Sequence, residues 1–397
     1  MLRRNLALAA IAVAAVSFAP AAAFSQAKVV KIATQSPLSG GQSAIGTDIK
    51  NGAQLAIEQL SGPLAKLGFK VELAPFDDQA NPDTGVANAK NIVADPAIVA
   101  VVGHYNSGVQ IPSSEEYHAA GLLNISPANS NPKVTERGYP EIFRICGRDD
   151  VQGAVGAQYA AGKGMKSAYV LHDKTAYGQG IAEYFQREAK KLGIKVLGFE
   201  GTEEKANFDA ILTPILASKA QVIYFGGIFD QSSVLLKQAR QKGFKGMFLS
   251  DDAFDCSDTA KIASEALLQG AGSCFSTLSG PPSVYPDAGK FMKDFAKEFG
   301  APPQPYAAQA YDCAALVLKA VEKVVSSNGG KLPSRADVVA AVRATKDFKG
   351  ITGTFNFTPK GDLTKAQYFV IQVATTDPAK WSSDNKIDKT LELAPPM

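Results

Sequence analysis

The chain has 397 residues, 46% hydrophobic and 20% charged, an ordinary globular composition long enough for two or three domains. Its 41 basic residues exceed its 38 acidic ones by three, and Arg3 and Arg4 supply two of those charges. That balance leaves no basic stripe for nucleic acid or for an electrostatic membrane anchor, and three histidines with four scattered cysteines argue against a metal centre.

The N-terminus speaks to the compartment. Met1–Asn5 is short and positive, Leu6–Ala19 is apolar, and Pro20 breaks the run before Ala21-Ala22-Ala23 and Ser25-Gln26-Ala27. Charge, length and small-residue exit predict a signal peptide over 1–27, cleaved after Ala23 or Ala27. The run is short for a membrane span, and no later stretch reaches the ~18 apolar residues that one needs. The mature chain is expected from near Lys28, exported and, in a bacterium, periplasmic.

Strand and helix patterns then alternate. Val29–Ala33 reads as a strand, followed by an apolar helical face on Ile49, Ala53, Ala56, Ile57 and Leu60. Strands Lys70–Ala74, Ile98–Val102 and Leu122–Ile125 alternate with helices Thr84–Val93 and Glu115–Ala120. A second series has strands Ser167–His172, Lys195–Gly198, Val222–Phe225, Gly246–Leu249 and Gly270–Phe275. Between them lie helices Gln179–Leu192, Phe208–Ser218 (with Pro214 inside) and Gln231–Lys242. Helices Asp287–Phe299, Tyr306–Ser326 and Arg335–Ala344 follow, then strands Thr354–Phe357 and Tyr368–Val373. Continuous apolar strands in this rhythm imply an α/β fold with parallel sheets covered on both faces. Breaks near Phe143–Asp150 and Thr277–Pro286 divide the chain, and the late helices need the first sheet to cover. Two doubly wound, Rossmann-like lobes exchanging the chain through a hinge are the economical solution. Ligands of such sheets sit beyond the carboxyl ends of the strands.

The strand-end loops carry the candidate chemistry. Gln35–Gly46 lacks a dinucleotide or P-loop fingerprint and offers a Ser/Gly-rich mouth. Gly103–Gly108 and Ser126–Ser130 are rich in hydroxyl and amide groups, suited to a carboxylate, although each alone could be a helix cap. Tyr177 between Ala176 and Gly178 is a plausible pocket wall or a surface aromatic. Ser250-Asp251-Asp252 offers acids for an ammonium group or for helix capping. No Gly-x-Ser-x-Gly elbow or His-Glu-x-x-His is present; His104 reads as a packed loop histidine, and Asp77-Asp78 as a turn before a helix cap. No catalytic residue and no cofactor is predicted.

These residues resemble a known family. Leu38-Ser-Gly with Gly46 and Asn51-Gly-Ala, Asp77-Asp78, Val102-Gly-His104, Ser126-Pro-Ala, Thr135-Glu-Arg-Gly-Tyr139, Arg144, His172-Asp-Lys174, Tyr177-Gly, Tyr224-Phe-Gly-Gly227 and Gly361-Asp362 are similar to the periplasmic leucine/isoleucine/valine-binding proteins of ABC importers. The likeness runs collinearly over essentially the whole mature chain. It implies a type I periplasmic binding fold with three crossovers and a ligand held between lobes, 28–146 plus 279–354 and 147–278 plus 355–397. By motif, Ser107 would hold the ligand carboxylate, Ala128 give a backbone contact, Ser130 stand where the family often has Thr, and Tyr177 cover the ligand. Asp252 would accept the α-ammonium where the family places Glu. Ile45 and Ile228 stand where the best-known members have Tyr, so the head group is better specified than the side chain. The implied partners are an inner-membrane permease and its ATPase subunits, with the binding protein itself a monomer. Rival readings are a sensor on the same fold for an amide-type metabolite, an aromatic-carboxylate carrier, and an enzyme, the last disfavoured for want of a nucleophile–base set.

An oxidising periplasm favours bridging cysteines in reach of one another. Cys256 just beyond strand Gly246–Leu249 and Cys274 in the neighbouring strand are the expected disulfide, with Cys146 and Cys313 buried as free thiols.

Overall fold

The computed structural model describes residues 28–396, so the signal-peptide expectation over 1–27 lies outside the described residues. The first sheet contains β1 (Lys28–Ser36), β2 (Phe69–Asp77), β3 (Ile98–Gly103), β4 (Leu123–Ser126) and β5 (Ile142–Arg144). All its pairings are parallel, in the order β2-β1-β3-β4-β5. Between these strands run α1 (Ser43–Leu60), α2 (Gly62–Lys66), α3 (Pro82–Ala94), α4 (Ser107–Ala119) and α5 (Lys133–Glu136). After α6 (Asp149–Gly162), the chain alternates β6 (Ser167–His172), α7 (Ala176–Lys191), β7 (Lys195–Gly201), α8 (Asp209–Ser218), β8 (Val222–Gly226), α9 (Phe229–Gln241), β9 (Met247–Ser250), α10 (Ser257–Ala263) and β10 (Ser273–Thr277). It then forms α11 (Ala288–Phe299), α12 (Ala307–Ser327), α13 (Arg335–Arg343), the short pair β11 (Phe348–Lys349) and β12 (Thr354–Phe355), β13 (Ala366–Gln372), α14 (Trp381–Asp384) and β14 (Lys386–Leu393).

The second sheet runs β14-β13-β10-β9-β8-β6-β7, parallel except for antiparallel β13 and β14 at one edge. Its five parallel strands repeat the order of the first sheet. In each, the first strand of the series lies between the second and the third, so strand order reverses between β1 and β3 and again between β6 and β8. Those reversals are where the loops part and a crevice opens. α11, α12 and α13 pack against α1, β3 and β4, so the chain returns to the first sheet after β10 and leaves it again before β13. It passes between the sheets three times.

Local chemistry explains the close fits. Asn81 accepts the Thr84 N–H at 3.0 Å and caps α3, as the Asn-Pro-Asp sequence suggests. A Cβ on Gly52 of α1 would lie 2.0 Å from the Ala307 carbonyl oxygen, so only glycine lets α12 approach this closely. At the crossings, fully buried Arg144 bonds Asp362 at 2.7 Å, while Arg148 reaches Asp362 at 3.1 Å and Asp150 at 2.6 Å. The Thr135 hydroxyl donates to the same Asp362 carboxylate at 2.7 Å. Burial works against the Asp362 carboxylate, but Arg144, Thr135 and Arg148 outweigh it and hold its pKa below the ordinary value.

The expected Cys256–Cys274 disulfide is not formed; all four cysteines are free and buried. Cys274 lies level with Leu249 inside the sheet, its thiol directed at the Phe248 carbonyl. Beyond Ser250 a tight turn at Asp252–Phe254 carries the chain off the sheet end, and Cys256 starts α10. Burial pushes both thiols up, Cys274 to about 12, which disfavours the reactive thiolate.

Candidate functional site

The carboxyl ends of the two sheets face each other across a cleft of about 500 Å³. From the first sheet come Gln42 after β1, Tyr105 and Ser107 after β3, and Ala128 and Ser130 after β4. From the second come Lys174 and Tyr177 after β6, Ile228 after β8 and Asp252 after β9. Six of the seven ligand-binding residues expected from sequence therefore line one cavity. Ile45 does not line it: its side chain is 1% exposed in the core on α1, and Gln42 occupies that stretch of the mouth instead.

The first-sheet wall is built to receive an anion. Asn106, extended at φ −86° and ψ 122°, precedes α4, and its carbonyl takes the Val109 and Gln110 N–H groups. The first-turn N–H groups of Ser107 and Gly108 are not used within the helix, both residues line the cleft, and the Ser107 hydroxyl oxygen accepts the Asn131 N–H at 3.4 Å. The Asn106 side chain does not cap the helix; it donates to Gln42 at 2.8 Å and ties two cleft loops together. The Ala128 N–H is engaged with Ser126 Oγ at 3.2 Å, so what Ala128 offers a ligand is its carbonyl oxygen.

The opposite wall is acidic. Asp251 and Asp252 divide the two roles open to this pair. Asp251 accepts the N–H groups of Gly227 at 2.8 Å and Ala253 at 3.1 Å, so it shapes the turn. Asp252, only 3% exposed, reaches the cleft. The Tyr177 hydroxyl donates to Asp252 Oδ1 at 2.8 Å, and the Tyr306 hydroxyl donates to Oδ2. Burial raises the Asp252 pKa above the ordinary aspartate value, opposed by those two phenols. Tyr177 is positioned by Thr175, which caps α7 by accepting the Gly178 N–H at 2.9 Å, and by the glycine itself. A Cβ on Gly178 would come within 2.4 Å of the Gly226 carbonyl oxygen.

Tyr306 escaped the sequence reading. It follows Pro302-Pro303-Gln304-Pro305 and stands at the start of α12 with φ +73°, a backbone that a bulky residue rarely adopts. Gln304 fixes the approach: its N–H donates to Asp48 of α1 at 2.8 Å, and its side chain accepts the Ser257 N–H at 3.0 Å. A proline-rich segment delivering an aromatic to a helix start was the available signal. Tyr105, whose ring centroid lies 6.2 Å from that of Tyr306, was likewise missed.

His104 is packed below the cleft, with Nε2 at 3.1 Å from the Tyr117 hydroxyl and Nδ1 at 3.4 Å from Asp78. Asp77 accepts the N–H groups of Leu38 at 2.8 Å and Gln79 at 2.9 Å, as a turn residue. Among the described residues, no group of three His, Cys, Asp or Glu side chains converges as a metal site requires.

A sequence profile of the family described as periplasmic binding protein matches residues 29–378. The amino acid binding protein of Pseudomonas aeruginosa is 33% identical over 346 residues, 86% of this chain and 90% of that one. A Leu/Ile/Val-binding protein homolog of Brucella abortus is 31% identical over 89% of this chain and 92% of its own. Among solved structures, the leucine-binding protein LivK of Thermotoga maritima superposes with a TM-score of 0.80 at 26% identity, covering 91% of this chain and 98% of that one.

Proposed function

Because the chain belongs to the periplasmic binding protein family, we propose that its cleft captures a free L-α-amino acid for an ABC importer. The observation that carries this reading is the opposition of charge across one cavity. Ser107 and the start of α4 stand on one wall, and Asp252 stands on the other. A carboxylate is stabilised at a helix N-terminus, and a buried acid is stabilised by an ammonium. The two groups of an amino-acid backbone satisfy both walls at once. Tyr105 and Ile228 offer apolar surface to its side chain.

The name of the Brucella abortus relative, a Leu/Ile/Val-binding protein homolog, favours an apolar, branched-chain side chain. Residues 28–146 plus 279–354 and residues 147–278 plus 355–397 would close on the ligand as two lobes, flexing at the three crossings. The closed form would then dock on an inner-membrane permease with its ATPase subunits. A binding role without turnover, a location in the periplasm and a monomeric state complete this reading.

The test is a melting-temperature screen of protein unfolded and refolded to strip bound ligand, against the twenty L-amino acids and a set of aromatic carboxylates. A bound amino acid at a hundred times its Kd stabilises the fold by about 2.7 kcal/mol, a shift of several degrees. A shift with aromatic carboxylates and with no amino acid would overturn the proposal.

A further inference from the structure

A second cavity, of about 50 Å³, lies beside the second crossing and shares no lining residue with the amino-acid cleft. α11 and the start of α12 close it on the first-sheet side, and β10, β13 and α14 close it on the other. Its walls are aromatic: Phe275, Tyr285, Phe291, Tyr306 and Trp381 line it, with the rings of Phe275 and Trp381 stacked at 6.1 Å between centroids. One acid stands among them. Asp255 is half-buried there, and the Trp381 Nε1–H donates to its Oδ1 at 2.8 Å. Among the described residues no lysine or arginine pairs with this carboxylate, and no basic residue lines the recess. Burial pushes the Asp255 pKa up to about 7, opposed by the Trp381 bond and reinforced by the Asp252 charge. An anchor for Trp381 needs only an acceptor, which asparagine would supply. A carboxylate in an apolar recess without a cation is costly, and its presence calls for one.

We propose that this recess is a second ligand site, taking a short alkylammonium ion with its charge on Asp255 and its chain among the aromatic rings. Such rings attract a cation through their faces, tryptophan most strongly, and they shelter a short apolar chain from water. Volume sets the size. One water needs about 10–15 Å³ of such space, so the recess has room for about four heavy atoms. A free amino acid is too large, and its carboxylate would meet no basic group there. Tyr306 joins the two cavities: it lines the recess, and its hydroxyl donates to Asp252 in the cleft. Gln304, on the same wall, accepts the Ser257 N–H and so spans the two halves of the molecule. Those halves meet at the cleft as well, where Asn131 Nδ2 donates to the Ala176 carbonyl at 2.7 Å. An ion held between α12 and β10 favours this closed arrangement over an opened one, and so tightens amino-acid binding. By linkage the amino acid tightens the ion to the same degree. The coupling rests on the amino-acid reading of the cleft, whereas occupation of the recess does not.

Trp381 is the one tryptophan of the chain, so its indole N–H reports on the recess alone. The experiment titrates propylammonium chloride into the protein at pH 8 and follows the indole cross-peak by NMR. 1-Propanol and sodium chloride are the controls for size and for ionic strength. So small a ligand has few atoms to bind with, and millimolar concentrations are used. A saturable shift with propylammonium alone is expected. Asp255→Asn, which still offers Trp381 an acceptor, is expected to weaken it about tenfold or more while leaving amino-acid affinity within about twofold. With the recess saturated, calorimetry with L-leucine, or with whichever amino acid raises the melting temperature most, is expected to show severalfold tighter binding. No saturable shift, an equal shift with 1-propanol, or an unchanged titration in Asp255→Asn would overturn the site. Weakened amino-acid binding would overturn it too, by placing the ion on Asp252 as a competitor. Unchanged amino-acid affinity would overturn the coupling. If the variant does not fold, propylammonium against 1-propanol in the wild type decides. A protein that binds no amino acid yet gives the propylammonium shift would lose the amino-acid reading and keep the recess.

Discussion

At the scale of residues, Asp252 carries the heaviest electrostatic duty in the cleft. A buried ammonium deprived of its acid partner costs about 3–5 kcal/mol, so Asp252→Asn should weaken amino-acid binding by a hundredfold or more. The two phenols can still bond an amide, so the fold should survive, and a circular-dichroism melt checks that. Ser107→Ala removes one hydroxyl while the first-turn N–H groups remain, at a cost of about 1–3 kcal/mol. Equal losses in the two variants, read by calorimetry, would contradict the division of labour between the walls. Most of this site was legible because its residues sit at strand ends, where the α/β rhythm announces a cleft. Tyr306 was not legible, since its meeting with Asp252 depends on α12 returning to the first sheet from far along the chain.

At the scale of elements, the expected strands and helices were recovered where apolar residues run continuously or fall on one face, and lost where small or charged residues blur that pattern. α6 was unseen because DDVQGAVGAQYAAG is rich in small residues and buried around much of its circumference. α4 was expected only from Glu115, since Pro112 reads as a break, yet the helix begins at Ser107 and holds the proline inside. That early start is what brings free N–H groups to the cleft. β14 is a charged edge strand, KIDKTLEL, with too little apolar alternation to announce itself. The tightest helix contact supplies a test of packing. Alanine favours a helix over glycine by up to about 1 kcal/mol, but at Gly52 its methyl would strike the Ala307 carbonyl. Gly52→Ala should therefore destabilise by about 1–3 kcal/mol in urea unfolding. A gain in stability would mean that α1 and α12 are not in such close contact.

At the scale of the whole molecule, buried acids set the response to pH. Asp255 is raised to about 7, and Asp48, Asp173 and Asp312 to about 6, each chiefly by burial. A raised acid binds its proton more tightly when folded than when unfolded, so stability falls as pH climbs between the two values. Asp362 has the opposite sign: its depressed value adds stability above the ordinary aspartate range, which is lost as pH falls through the folded value. Unliganded protein should accordingly melt higher near pH 5 than near pH 7.5, and the Asp362 contribution should fade as pH drops below the ordinary aspartate range. A melting temperature that climbs steadily from pH 5 to 8 would refute this balance. The return of α12 to the first sheet also orders events in time. On a ribosome, β1 through β5 emerge early, but the helix that seals α1 and β3 begins only at Ala307. For most of its synthesis the chain carries a first sheet that has not yet gained its covering contact with α12. Such a delay would keep the polypeptide threadable, an advantage if, as proposed, the protein is exported before it works.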